Sequence, residues 1–200
     1  MKIAAMSIAL SLTLAATAHA AEATSTIQPD EWASYKAGFV TDDGRVVDTA
    51  NNGISHSESQ GYGLVLSVLA GDKPTFERIW SFTSTQLLVR DDGLASWRWD
   101  PAATPNLTDT NNATDGDILI AYGLALAGTA WDELEFTIAA RRMVGILGRS
   151  MLVEADGMPA ILPGAEGFTE LSNGRGPVLN PSYWVFEALP VRSFTLPVTW

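Results

Sequence analysis

The sequence predicts an all-α protein. Three observations carry that prediction. Apolar residues recur at helical spacing in several long segments. Short turns alternate with long loops rich in Gly, Asn and Asp, so the helices come in pairs. Apolar residues make up 46% of the 200 residues, enough to give one domain a core.

Residues 29 to 39, "PDEWASYKAGF", read as the first helix, with Pro29 early, acids in the first turn and Gly38 near the end. "TDDGRVVDTANNG" is turn-rich and leaves room for a short strand at "RVV". Residues 60 to 70 read as a buried helix that opens just after Glu58 and stops at Gly71. "KPTFERIWSFTSTQLLV" places Phe76, Ile79, Trp80, Thr83 and Leu87 at helical spacing behind Pro74. "RDDGLASWRWDP" then alternates, with Leu94, Trp97 and Trp99 between Asp-Gly and Asp-Pro turns. Residues 115 to 129 predict a very apolar helix, and residues 131 to 151 an amphipathic one. "EADGMPAILPGAEGF" reads as a loop or hairpin, and "NPSYWVFEALP" as a short helix after Pro181. The total is about six helices, without repeats or an interdomain linker.

The N-terminus reads as a secretory signal. Lys2 supplies the positive start, residues 3 to 17 the apolar stretch, and "AHA" at 18 to 20 an A-x-A cleavage site. Residues 1 to 20 are therefore set apart from the domain at 21 to 200, and the expected location is the periplasm or the medium. There is no cysteine, so the fold relies on its core and has neither disulfides nor thiolate chemistry. Outside the leader His56 is the single histidine, which disfavours a zinc site or a Ser-His-Asp triad. No motif asks for a metal or a cofactor. The net charge of -11 argues against nucleic acid and anionic membranes as partners and suits a neutral polymer.

Two carboxylates open apolar helices. Glu58 lies in "SHSESQGYG", where Gly61 and Gly63 leave room for something to approach. Asp115 and Asp117 lie in "NNATDGDILIAYGLALAGTAW", behind Asn111, Asn112 and Thr114. Plainer readings stand beside these. Glu58 can be a surface acid favoured by the helix dipole, and Thr114 with Asp117 resembles a capping box. Two acids so placed also meet the need of glycoside hydrolysis. One protonates the leaving oxygen, while the other handles water or the positive charge developing on the sugar. A Glu held in a Trp-lined groove near another carboxylate would have its pKa raised, and so keep its proton near neutral pH. Trp97 and Trp99 offer flat faces to sugar rings, or pack in the core.

These segments resemble glycoside hydrolase family 8. "ATDGDILIAYGLALAGTAW" is similar to the family signature, and "SESQGYG" to a second hallmark that usually has Gly in place of Ser59. "WRWDP" and "NPSYW" also resemble family segments, and the likeness runs from about residue 30 to 190. Among family members the chain looks most like endoglucanases associated with bacterial cellulose synthesis. The resemblance implies an (α/α)6 barrel with a long cleft and endo-hydrolysis of β-1,4-glucan with inversion. It implies Glu58 as general acid and Asp115 as the second carboxylate at the cleavage subsite. Trp97, Trp99, Tyr183 and Asp117 are the expected sugar contacts. A link to cellulose synthase machinery goes with the same likeness.

A complete barrel of this type has twelve helices, so the chain is expected to hold about the first half. The general base of the family is then expected beyond residue 200. Helical periodicity stops at "VRSFTLPVTW", which points to a premature stop or frameshift near residue 191. Two other readings compete. One is a glucan-binding remnant without catalysis. The other is a polysaccharide lyase of the same barrel class, using His56 and Tyr62 on a uronic-acid polymer.

Overall fold

The computed structural model describes residues 27–169 and 176–188. The expected signal at 1–20 and the non-helical ending at 191–200 lie outside the described residues.

Five α-helices are present among the described residues: α1 Pro29–Phe39, α2 Ser57–Leu69, α3 Lys73–Phe82, α4 Thr114–Ala130 and α5 Leu134–Ser150. Two-residue strands β1 (Ser55–His56) and β2 (Arg98–Trp99) pair antiparallel, with Ser55 opposite Trp99. The expected hairpin forms as β3 (Leu152–Ala155) and β4 (Met158–Ile161), with Leu152 opposite Ile161. The strand expected at "RVV" shrinks to a single bridge between Val46 and Val40.

The first helix has the bounds its pattern predicts. α2 starts earlier than expected, so Glu58 sits inside its first turn. The reason is an unusual cap. His56 Nδ1 accepts from the backbone N–H of Ser59, and the backbone N–H of His56 donates to Ser59 Oγ. Each side chain thus satisfies a backbone group that a helix start would leave unpaired.

α3 is shorter than its periodicity suggests. From Thr83 to Leu87 the backbone widens into a π turn. Gln60, wholly buried on α2, sets that point. Its Nε2 donates to Thr83 Oγ1 at 2.9 Å, and its Oε1 accepts from the backbone N–H of Val46 at 2.5 Å. One amide therefore joins α2, the π turn and the loop after α1. The segment after Pro181 gives only a 3-10 turn, Pro181–Tyr183, in place of the expected helix. The Asn180 carboxamide accepts from the backbone N–H and the hydroxyl of Ser182, holding a tight turn.

α2 and α4 form the inner layer. They run parallel with their starts side by side. A side chain on Gly116 would meet Ser57, one on Gly61 would meet Leu119, and one on Gly123 would meet Leu64. The backbones thus touch at glycines along three turns. α3 and α5 return on the outside and close two helical hairpins. Phe76 of α3 packs edge-on against both Trp131 and Phe136, tying the two hairpins together. Leu64, Phe76, Ile79, Ile120 and Leu124 are fully buried at the centre. Because α4 is covered on nearly every side, its sequence is apolar around its whole circumference.

Candidate active site

The parallel packing of α2 and α4 decides which residues meet. Their first turns carry Glu58 and Asp115, and these two turns lie together at one end of the inner layer. A Cβ on Gly116 would stand 2.1 Å from Ser57 Oγ and 2.7 Å from the backbone nitrogen of Glu58. The residue after Asp115 thus lies against the residues that precede and carry the Glu58 side chain. Two acids distant in sequence become neighbours.

The Asp115 carboxyl is pushed up to about 6. Burial is the main cause, and the negative charge of Glu58 adds to it, against hydrogen bonding from the backbone N–H of Gly116. Tyr62 and Tyr183 stand close enough to sense the same pair. Burial raises the Tyr62 pKa first, then Glu58, Asp115 and Glu187; burial raises that of Tyr183, then Asp115 and Glu58. Both tyrosines are held in their protonated, hydrogen-bonding form.

An open cleft of about 330 Å³ adjoins Glu58, lined by Tyr35, Phe39, Val47, His56, Glu58 and Tyr62 among others. Tyr62 is 48% exposed at its edge. Its position at the cleft was legible only as an alternative base. That reading is unfavourable here, since surrounding anions oppose a phenolate. The His56 ring is likewise engaged, by Ser59 at Nδ1 and by Asp48 at 3.3 Å from Nε2.

Four expected sugar contacts remain to be placed. Tyr183 lies at the carboxylate pair. Trp97 is half-buried and its indole hydrogen-bonds Asp109. Trp99 is half-buried as well: the Arg45 guanidinium lies over its ring at 5.1 Å, Phe82 meets it in a T-shaped contact at 5.5 Å, and it packs on the core.

Asp117 is a correction. It is 0% exposed, so it cannot touch a glucan. Its carboxylate accepts from the backbone N–H of Ala95 at 2.8 Å and from Asn112 Nδ2 at 2.9 Å. Burial nevertheless pushes its pKa up to about 7. The capping-box reading fails as well. Ala113 occupies the cap position without a side-chain bond, and Asp117 turns inward. Asn111 and Asn112 serve the scaffold. Asn112 Oδ1 accepts from the backbone N–H of Ala165, and Asn111 Nδ2 donates to the carbonyl of Glu166. Gly61 and Gly63, expected to make space for a ligand, instead admit α4 and the side chains of Val46 and Ile79.

The sequence model of glycosyl hydrolases family 8 matches residues 2–195. The chain belongs to glycosyl hydrolase family 8. It is similar to an endoglucanase of Cellulomonas uda, 38% identical over 78% of this chain and 43% of that protein. It is also similar to a probable endoglucanase of Novacetimonas hansenii, 39% identical over 83% of this chain and 47% of that one. Two solved structures align with it. A family 8 endoglucanase from Klebsiella pneumoniae has a TM-score of 0.77 at 39% identity, covering 82% of this chain and 52% of that one. An endo-β-1,4-glucanase from Acetobacter xylinum has a TM-score of 0.76 at 39% identity, covering 80% and 49%. The family 8 chain spans about half the length of these relatives. Its inner and outer helices are hairpins of the (α/α)6 fold, and it holds about half of that barrel.

Proposed function

We propose that this family 8 chain carries the proton-donating part of an endo-β-1,4-glucanase site acting on cellulose-like glucan with inversion. Glu58 is the general acid, and Asp115 stabilises the charge that develops on the sugar. Trp97, Tyr62 and Tyr183 meet the glucan. The observation that carries this reading is the meeting of Glu58 and Asp115 at the starts of two parallel helices, beside an open cleft. The Glu58 carboxyl delivers a proton to the glycosidic oxygen, and ionised Asp115 faces the positive charge left behind. The similarity to bacterial endoglucanases supports glucan as the substrate class. The apolar leader with its A-x-A site supports export.

The test is reducing-sugar release from carboxymethylcellulose by the purified chain, beside a Glu58→Gln control. Release that disappears in the control assigns proton donation to Glu58. Folded protein that releases nothing overturns hydrolysis by this chain. Retained cellulose binding would then favour a non-catalytic glucan-binding role.

A further inference from the structure

Asp117 is buried beyond the reach of any sugar, yet it lies two residues from Asp115. What it holds can be traced bond by bond. One oxygen accepts from the backbone N–H of Ala95, the other from Asn112 Nδ2. Residues 95 to 97 then bond to the starts of both carboxylate helices. The backbone N–H of Trp97 donates to the carbonyl of Asn111 at 2.8 Å, and the backbone N–H of Ser57 donates to the carbonyl of Trp97 at 3.0 Å. Ser57 directly precedes Glu58. On the far side, Asn112 Oδ1 accepts from the backbone N–H of Ala165 at 2.7 Å. A continuous set of bonds runs from the start of α4, through one short extended segment, to the start of α2.

We propose that Asp117 is a positioning residue for the glucanase reaction, fixing residues 95–97 and Asn112 so that Glu58 and Asp115 keep their spacing. This rests on the proposed function for its catalytic readout only. Asp117 acts through other residues, and its carboxylate touches no reacting atom. In its ionised form both its oxygens accept, which matches the two donors that face them. An amide at 117 cannot meet that need. Ala95 and Ala165 would take the two available amide oxygens, and two NH₂ groups would be left facing each other.

The hydrogen-bond pattern supplies its own rescue. In the reciprocal exchange, Asp117→Asn together with Asn112→Asp, the bonds to Ala95 and Ala165 and the one between 112 and 117 can be kept, and only the weak bond to Met151 Sδ is lost. The amide at 117 accepts from Ala95 and donates to the carboxylate at 112, whose other oxygen accepts from Ala165. Asn112→Ala is the complementary probe, since it removes the Asn112 bonds to Asp117, Ala165 and Met151 and leaves the carboxyl at 117 in place.

The experiment compares the four proteins for melting temperature, for kcat and KM on cellohexaose, and for the Asp115 titration midpoint read by carboxyl-carbon NMR. Asp117→Asn is expected to lower kcat by at least about tenfold, with KM much less affected. Its Asp115 midpoint moves from that of the parent, and Asn112→Ala moves it as well. The reciprocal exchange is expected to return kcat to within about threefold of the parent, and the midpoint with it. A lowered melting temperature with unchanged kcat and midpoint in Asp117→Asn overturns the proposal. So does a folded reciprocal exchange that stays as slow as Asp117→Asn. If the parent does not hydrolyse cellohexaose, the proposed function fails, and the midpoints decide alone. Unchanged midpoints in both single variants then overturn positioning. If Asp117→Asn does not fold, a folded reciprocal exchange with the parent's midpoint supports it, and one that also fails to fold overturns it.

Discussion

Gly116 and Ser57 touch where α4 and α2 begin side by side. The site for a Cβ on Gly116 is filled, with Ser57 Oγ at 2.1 Å and the backbone nitrogen of Glu58 at 2.7 Å. Gly116→Ala is expected to force the two helix starts apart and to destabilise the protein by about 1–3 kcal/mol. Adding Ser57→Gly removes the hydroxyl and its carbon but not the backbone contact, so the double variant recovers only part. Urea unfolding of the three proteins checks both statements.

Gln60 joins three elements through one buried amide. Gln60→Ala leaves the Val46 N–H and the Thr83 hydroxyl without this partner and opens a cavity beside Ile79. The expected loss is about 2–4 kcal/mol. Gln60→Glu keeps the volume but places a carboxylate where Nε2 donates to the carbonyls of Gly44 and Ile79, so it too destabilises. The midpoint of denaturant unfolding reads both.

Asp72 fastens the first helix to the third. It caps α3 through the backbone N–H of Thr75 and accepts from Trp32 Nε1 at 2.9 Å and Lys36 Nζ at 2.7 Å. Burial works to raise its pKa, but bonds from Lys36, Trp32 and Thr75 outweigh that and hold it well below the usual carboxylate range. With the folded value depressed, its contribution is complete above about pH 4 and fades as pH falls toward the folded value. Asp72→Ala is expected to cost about 1–2 kcal/mol at pH 7 and less in strong acid, as thermal unfolding at a series of pH values would show.

Asp115 and Asp117 give the opposite slope. Both carboxyls are raised, to about 6 and about 7, so the folded chain binds more protons than the unfolded one between pH 4 and 7. Their joint effect is stability that declines as pH rises through that window. Asp115→Asn is expected to flatten the decline, and equilibrium unfolding from pH 4 to 8 measures it.

The same Asp115 value sets an acid limb for catalysis. If ionised Asp115 supports the sugar charge, kcat/KM on carboxymethylcellulose rises with pH through a midpoint near 6. Asp115→Glu should shift that midpoint, and Asp115→Asn should abolish the limb along with most of the rate.

Features set by local sequence were legible. The bounds of α1 follow from Pro29, its acidic first turn and its apolar spacing, and the hairpin follows from Asp156-Gly157. The placement of Glu58 and Asp115 at the starts of long apolar helices was also legible. Features set by distant neighbours were not. Nothing near Asp117 in the chain tells that Ala95 will bond it, nor near Trp99 that Arg45 will cover its face. Gly61 and Gly63 signalled a close approach correctly, but the approaching body is the protein itself. The early start of α2 hid in a His56–Ser59 cap, because histidine is a rare capping side chain. A π turn depends on where a buried amide meets Thr83, so no periodic pattern announces it.

The side-by-side starts of α2 and α4 also shape how the chain acquires its structure. Ser57 and Gly116 lie roughly sixty residues apart, so their meeting closes a long loop before any contact energy is returned. The α2–α3 hairpin can assemble early from neighbouring sequence, but its inner face, with Leu64 at the centre, waits for α4. Folding speed should therefore follow the docking of α4 more than the formation of any helix. During synthesis, the interval before residue 130 emerges is when that apolar face is uncovered and in need of protection.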